Sequence, residues 1–467
     1  MEKTLNISQM LIRYSADVYV RYAKDEYMAW CPHTDGCTIM RDVQPFLDEI
    51  GWEWRGVTDI KAVVAAKFGC AEADIEGDFR MVLYELIAQG FVECAGDESG
   101  VATTGEIPVV PVNRQDVRSP SSEEDNLALE DFCNRHGILA ELHIDLTDAC
   151  TERCVHCYVP KGQKDFLPVE LVEKALVEFR AMNGLTIHLT GGEAMMHLDF
   201  ERICRKCVEL NLNFIIFSNM TLCDDKRIAF LKEAAPQFIN VSLYSMKPEE
   251  HDAITQLPGS WQRTMDAILK CCEAGVACRI ATPLLKENQD ALPALRKFAD
   301  EHHMHLVPAA EIIAQADHKC GNLAHACSVE ELRRVMTRDS ELFYGDYDGE
   351  MPSGDSRVCN IGIRARLYLN AKGNYYPCDS MHEYVLGNVR ENTVEEIWKG
   401  EKLNYLRGLK NRDFGACASC EKRPWCKVCP AANFNATGDL FKHHPSACEL
   451  AEVIREVYGG FRQDLQD

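Results

Sequence analysis

Cys150, Cys154 and Cys157 stand in the run Asp148-Ala149-Cys150-Thr151-Glu152-Arg153-Cys154-Val155-His156-Cys157-Tyr158, a C-x3-C-x2-C triplet. One short loop offers three thiolates, not four, to a metal centre. A structural zinc closes four ligands around itself. A cubane iron-sulfur cluster also takes four, normally all cysteine. Three ligands from one loop predict a cluster with one iron left open for chemistry.

A second set lies toward the C-terminal end. Cys359 is followed after thirteen residues by Gly373 and after four more by Cys378. Then come Cys417-x2-Cys420-x5-Cys426-x2-Cys429 and Cys448. A zinc knuckle is the competing use of Cys417 to Cys429. Seven cysteines at two spacings favour clusters. The chain holds 23 cysteines in 467 residues. Its start shows no charged segment followed by an apolar stretch, so no signal peptide is expected. Such density in a reducing cytoplasm reads as metal ligation, not disulfides. Most of the remaining cysteines, among them Cys31, Cys70, Cys204, Cys271 and Cys272, read as buried apolar residues. A formal net charge of -23 disfavours a nucleic-acid partner. No apolar run reaches the roughly eighteen residues that a membrane span needs.

The elements that must position these cysteines are legible as periodicities. Strand-like segments at Leu142–Leu146, Thr186–Leu189, Asn213–Phe217, Ile239–Leu243, Val276–Ala281 and His305–Pro308 alternate with helical patterns such as Pro168–Met182 and Trp261–Ala274. Strand-helix alternation on this scale predicts a parallel sheet or barrel. The cysteine loop follows its first strand, on the face where such barrels place their chemistry. His302, His303 and His305 read as a helix end leading into a strand.

The N-terminal block, residues 1–95, reads as a compact α+β module. Its strands lie near 18–22 and 27–31, with a turn at Pro32–Gly36. Thr58 is placed to cap a helix ending at Gly69. A second helix carries the stripe Phe79, Val82, Leu83, Leu86 and Ile87 and ends at Gly90, before a strand at Phe91-Val92. Residues 96–136 carry Gly, Ser, Thr, Pro and an acidic run, and read as an exposed linker.

The triplet resembles the signature of radical S-adenosylmethionine (SAM) enzymes. That resemblance implies a [4Fe-4S] cluster on Cys150, Cys154 and Cys157, with SAM on the open iron and a 5'-deoxyadenosyl radical released on reduction. His156 stands where the family usually has an aromatic residue near the adenine. Gly191-Gly192-Glu193 resembles the family's GGE motif, whose backbone and carboxylate hold the SAM amino group. Glycine permits close backbone approach, and a carboxylate suits an ammonium. Ser218-Asn219 resembles the ribose-contacting segment, and Ser242 stands at a polar SAM contact.

The C-terminal pattern resembles the SPASM extension, which implies two auxiliary [4Fe-4S] clusters and three in all. Cys417, Cys420, Cys426 and Cys448 would hold the distal one, and Cys359, Cys378 and Cys429 the nearer one. Cys429 departs by one residue from the family spacing. The nearer cluster's fourth ligand is Cys320, Cys327 or a position left open to substrate.

The N-terminal block resembles the leader-recognition element of ribosomal-peptide maturases, a winged fold that takes a peptide as an added strand. A DNA-binding winged helix is the alternative. Nine Lys/Arg against sixteen Asp/Glu in residues 1–95 disfavour it.

The fold expected is therefore α/β. It comprises a winged-helix-like domain at 1–95, a linker at 96–136 and a partial (β/α)6 TIM-like barrel at 137–318. A bridging segment at 319–354 and an iron-sulfur domain at 355–467 complete it. The function expected is a cytoplasmic radical SAM maturase of a precursor peptide, fed by flavodoxin or ferredoxin, that forms a thioether as sactipeptide and ranthipeptide maturases do. Alternatives are a carbon-carbon cross-link, formylglycine formation as in sulfatase-maturing enzymes, or a non-catalytic iron-sulfur scaffold.

Overall fold

The computed structural model describes residues 10–15, 18–23, 26–32, 36–41, 43–95, 129, 132–159, 162–315, 321–343, 350–358, 366–381, 384–426, 428–443 and 445–459. Cys320, Cys359 and most of the 96–136 segment lie outside these. The chain forms two compact units, Met1–Gly137 and Ile138–Asp467. No helix among the described residues is long and apolar enough to cross a membrane.

The first unit contains β1 (Leu11–Tyr14), β2 (Tyr19–Ala23), β3 (Glu26–Cys31), β4 (Gly36–Arg41), α1 (Gln44–Leu47), β5 (Arg55–Gly56), α2 (Val57–Phe68), α3 (Glu76–Ala88) and β6 (Val92–Ala95). Two three-stranded antiparallel sheets result, ordered β5-β1-β6 and β2-β3-β4. Their shared core includes Ile12, Tyr27, Phe46, Ile60, Leu83 and Phe91. Gly56, not Thr58, occupies the cap of α2, and no side chain caps it. Gly69 ends α2 at φ +66°, where its amide reaches the Ala65 and Ala66 carbonyls. The linker reading needs one correction. Residues 132–136 are helical, and Phe132 and Cys133 are buried. Cys70 also departs from expectation, because it is exposed just past the end of α2.

In the second unit six parallel strands follow one another, with at least one helix between each successive pair. They are β7 (Glu141–Thr147), α4 (Val169–Ala181), β8 (Thr186–Gly191), α5 (Phe200–Glu209), β9 (Asn213–Ser218), α6 (Asp225–Ala234), β10 (Ile239–Ser242), α7 (Pro248–Thr255), α8 (Ser260–Ala274), β11 (Cys278–Pro283), α9 (Leu292–Glu301) and β12 (His305–Ala309). Side chains alternate along a strand. On β7, Leu142, Ile144 and Leu146 are fully buried on one face, while Glu141, His143 and Asp145 share the other. That second face carries the polar residues that concern the site.

Three more strands, β13 (Arg366–Leu369), β14 (Asn374–Tyr376) and β15 (Gly387–Asn388), extend the same sheet beyond β7. β13 runs parallel to β7 with Tyr368 opposite His143, and β14 and β15 turn back antiparallel. The cysteine-rich segment is thus built onto the sheet that carries the Cys150 loop. Cys378, Cys417, Cys426 and Cys429 pack against an apolar cluster of Val358, Met381, Phe414 and Val428.

Candidate active site

The Cys150 loop leaves β7 and is tied down along its length. Asp148 N donates to Asp165 O (2.9 Å), and Arg153 N and Val155 N donate to Thr255 O and Ile254 O at the end of α7 (both 2.9 Å). The turn after β8 closes on it from the side. Gly192 N donates to Thr147 O (2.7 Å) and Glu193 N to Ala149 O (2.9 Å). This approach explains both glycines. A Cβ on Gly191 would lie 2.2 Å from Thr147 O, and one on Gly192 2.3 Å from Ala149 O. Gly191 also holds φ +128°.

Cys150, Cys154 and Cys157 open onto one cavity of about 920 Å³, together with His156, Gly191, Gly192, Ser218, Asn219 and Ser242. Glu193 is not among the lining residues. It is 1 % exposed, and its carboxylate accepts from Met195 N (3.0 Å), Ser218 Oγ (2.8 Å) and Asn219 N (2.8 Å). Glu193 therefore braces the end of β9 from beneath. His156 meets Tyr244 edge to face, with ring centroids 5.1 Å apart.

Burial shapes the charges here. It pushes Cys154 well up, helped by the neighbouring Glu152 charge, and removal from water pushes Cys150 up to about 12. Thiols in this state give up their protons when metal binds. Cys154 Sγ donates to Glu152 Oε2 (3.2 Å), and burial raises that carboxyl to about 8. Burial lowers His156 to about 4.

The donor set fits an iron-sulfur cluster. Among the described residues, metal-type ligand atoms that all lie within 4.8 Å of one another belong to Glu141, His143 and His188. Cys150, Cys154 and Cys157 are the cysteines that line the cavity, three thiols for a cluster with one iron left open. Glu152 Oε1 and His156 Nδ1 are buried without a partner among the described residues, and both residues line the cavity. Its volume is in the range of small-molecule sites, about 300–1,000 Å³. These features fit SAM.

The Glu141 group is a different construction. His143 and His188 stack with centroids 3.9 Å apart at 18°, so their lone pairs run side by side and do not converge. Arg366 holds Glu141 Oε2 through Nε (2.7 Å) and Nη2 (2.6 Å). Burial would raise the Glu141 carboxyl, but His143, His188 and Arg366 outweigh it and hold it well below the usual carboxylate range. The result is a charge-paired floor to the cavity, reached through His143 and Phe217.

Sequence reasoning missed this floor and a second group beside it. Tyr368 on β13 donates to Asp145 on β7, and burial raises that carboxyl to about 8. Tyr158, Tyr368 and Asp379 line the cavity wall. The strand alternation at Glu141, His143 and Asp145 was the available signal: three polar residues on one face of a buried strand.

The later cysteines form two groups. Cys417, Cys420, Cys426 and Cys448 lie within electrostatic reach of one another, and Arg423 lies among them, 6 % exposed. Burial first, then the neighbouring sulfurs, raises Cys426 to about 11. Cys378 and Cys429 form the second group. Cys327 packs elsewhere, against the cluster of Leu332, Val335 and Ile454.

Comparison with known proteins agrees with this geometry. Residues 144–299 match the Radical SAM superfamily, and residues 359–430 match SPASM, an iron-sulfur cluster-binding domain. The chain is 24% identical over 335 residues to the AdoMet-dependent heme synthase of Methanosarcina barkeri, covering 64% of this chain and 94% of that one. It is 24% identical over 274 residues to the sporulation killing factor maturation protein SkfB of Bacillus subtilis, covering 56% and 66%. In fold it is similar to anSMEcpe with bound AdoMet (TM-score 0.57, 16% identity, 70% of this chain and 98% of that one). It is also similar to Streptococcus suis SuiB bound to precursor peptide SuiA (TM-score 0.57, 14% identity, 94% and 99%). The chain carries a radical SAM domain followed by a SPASM domain, and it is a radical SAM enzyme of the SPASM type.

Proposed function

We propose that this enzyme matures a ribosomally made precursor peptide, joining a cysteine sulfur of that peptide to a carbon of another residue. In this reading Cys150, Cys154 and Cys157 hold a [4Fe-4S] cluster. SAM occupies the cavity between Ser218, Ser242 and His156. With both bound, the site supplies a deoxyadenosyl radical able to take a hydrogen atom from a substrate carbon. Gly191 and Gly192 let the β8 turn press on the cysteine loop, and Glu193 fixes Ser218 and Asn219. Cys417, Cys420, Cys426 and Cys448 hold one auxiliary cluster, and Cys359, Cys378 and Cys429 the other.

The observation that carries the peptide reading is coverage. Likeness to SuiB spans 94% of this chain, so it takes in part of Met1–Gly137 as well as the catalytic unit. That protein's structure is bound to a precursor peptide. Residues 1–95 serve here as the leader-binding element, with the outer strands of the β2-β3-β4 sheet as the docking strands.

The thioether reading rests on the nearer auxiliary set. Cys327 packs in a separate apolar cluster from Cys378 and Cys429, and Cys320 lies outside the described residues; in this reading the fourth position of that cluster takes a substrate thiolate. Asp379, next to Cys378, lines the main cavity, so that set adjoins the site where the carbon radical arises. Forming the C–S bond removes one hydrogen from carbon and one from sulfur. One leaves as an atom and the other as a proton, with one electron removed.

Mass spectrometry of a precursor peptide co-expressed with the enzyme tests this. The expected product is lighter by two hydrogen atoms and has one cysteine that no longer alkylates. A product of that mass with every cysteine still alkylated overturns the thioether and leaves a carbon-carbon bond. A second reading, a tetrapyrrole substrate, is favoured by the relatives named heme synthase. Those relatives match 64% of this chain. Turnover of an iron porphyrin precursor with no change in any peptide would select it.

A further inference from the structure

We infer that Asn219 tunes the reduction potential of the SAM-binding cluster by donating a hydrogen bond to the Cys150 sulfur. This rests on the reading that Cys150, Cys154 and Cys157 carry that cluster. Asn219 sits at the end of β9 and is 5 % exposed. Its Nδ2 lies 3.6 Å from Cys150 Sγ and 3.0 Å from Thr151 Oγ1, one acceptor for each of its two hydrogens.

The orientation of the amide follows from its other end. Oδ1 accepts from Thr221 N (3.0 Å) and Thr221 Oγ1 (2.7 Å). A flipped amide would set its NH2 against a backbone N–H, which can only donate. The backbone of Asn219 is equally constrained. Its N–H donates to Glu193 Oε2 (2.8 Å), and its carbonyl accepts from Thr264 Oγ1 (2.7 Å). Every polar group of the residue is thus engaged within the protein, and both hydrogens of Nδ2 are spent on the cysteine loop.

A hydrogen bond to a ligating sulfur draws charge from it and favours the more negative, reduced state of the cluster. Asn219 therefore raises the potential and eases reduction by the external donor. Through Glu193, the same residue couples the β8 turn to the cluster ligand.

Potentiometric titration of the fully reconstituted chain, followed by electron paramagnetic resonance, tests this. The relevant signal is the one that changes when SAM is added. Asn219→Ala is expected to keep that signal and move its midpoint to more negative potential. Thr151→Val, which removes the other acceptor and leaves the sulfur bond, is expected to leave the midpoint in place. An unmoved midpoint in Asn219→Ala, with weaker SAM binding, overturns the proposal and makes Asn219 a SAM contact. Should Asn219→Ala take up no cluster, the unsubstituted enzyme labelled with 15N-asparagine decides. A 15N coupling on the reduced, SAM-free cluster supports the bond, and its absence overturns it. A wild-type enzyme with no SAM-responsive signal refutes the cluster reading itself, which is a separate failure.

Discussion

Gly192 shows how little room the catalytic loop has. A Cβ there would meet Ala149 O at 2.3 Å and Asp148 O at 2.7 Å, both backbone atoms of the loop that carries Cys150. Backbone cannot swing aside as a side chain can, so Gly192→Ala must displace the loop. Overpacking of this kind costs about 1–3 kcal/mol. The expected result is a folded protein that loses the iron of the SAM-binding cluster and keeps the iron of the auxiliary sites. Iron quantitation with electron paramagnetic resonance checks it, and full retention of the SAM-responsive cluster would refute the packing argument. Glu193 stands beside this glycine in sequence but serves a different end. Three donors inside the protein satisfy its carboxylate. The resemblance to the family motif implied a SAM contact for it, whereas the geometry gives it the task of holding Ser218 and Asn219.

At the scale of elements, the helical stretch 132–136 is fastened to β3 by charge. His136 Nε2 lies 2.8 Å from Glu26 Oε2, Arg41 Nη2 lies 2.6 Å from Glu26 Oε1, and Arg135 reaches the same carboxylate. The bond from His136 first, then that from Arg41, pulls the Glu26 carboxyl down from 4.5 to about 2. A depressed carboxyl stabilises the fold above its unfolded value, and that contribution is lost as pH falls through the folded one. Thermal stability of the first unit is therefore expected to decline between about pH 4.5 and pH 2, and Glu26→Gln is expected to flatten that decline. Melting curves of residues 1–137 at stepped pH provide the check. An unchanged pH profile in Glu26→Gln would show that the cluster carries no stability. The β7–β13 pairing is the matching device in the second unit, because Arg366 on one strand and Glu141 on the other close it with a hydrogen bond and an ion pair.

At the scale of the molecule, the division into Met1–Gly137 and Ile138–Asp467 suggests a division of labour. If the first unit only captures the leader, deleting residues 1–137 should leave reductive SAM cleavage intact and abolish modification of a leader-bearing peptide. Supplying that unit in trans should restore little of the modification, because the link that raises the local concentration of the peptide is then missing. Deoxyadenosine release and peptide mass, measured side by side, separate the two activities. Loss of both on truncation would mean that the first unit supports the catalytic fold itself. The formal net charge of -23 disfavours a nucleic-acid partner.

What the sequence determined by itself is local. The spacing of Cys150, Cys154 and Cys157 is set by chain connectivity, so three ligands on one loop are visible without a fold. Strands β7 to β12 were legible because parallel strands buried on both faces read as apolar runs bounded by turns. Short strands such as β1, β4 and β5 were not, because pairing with distant residues and not local pattern creates them. The tertiary structure decided what depends on distant partners. It joined β13 to β7, so that Tyr368 meets Asp145 and Arg366 meets Glu141. It stacked His143 on His188 from neighbouring strands, turned Glu193 inward, and set Asn219 on the Cys150 sulfur. These contacts link residues tens to hundreds of positions apart. No pattern in the chain encodes them until the sheet sets their register.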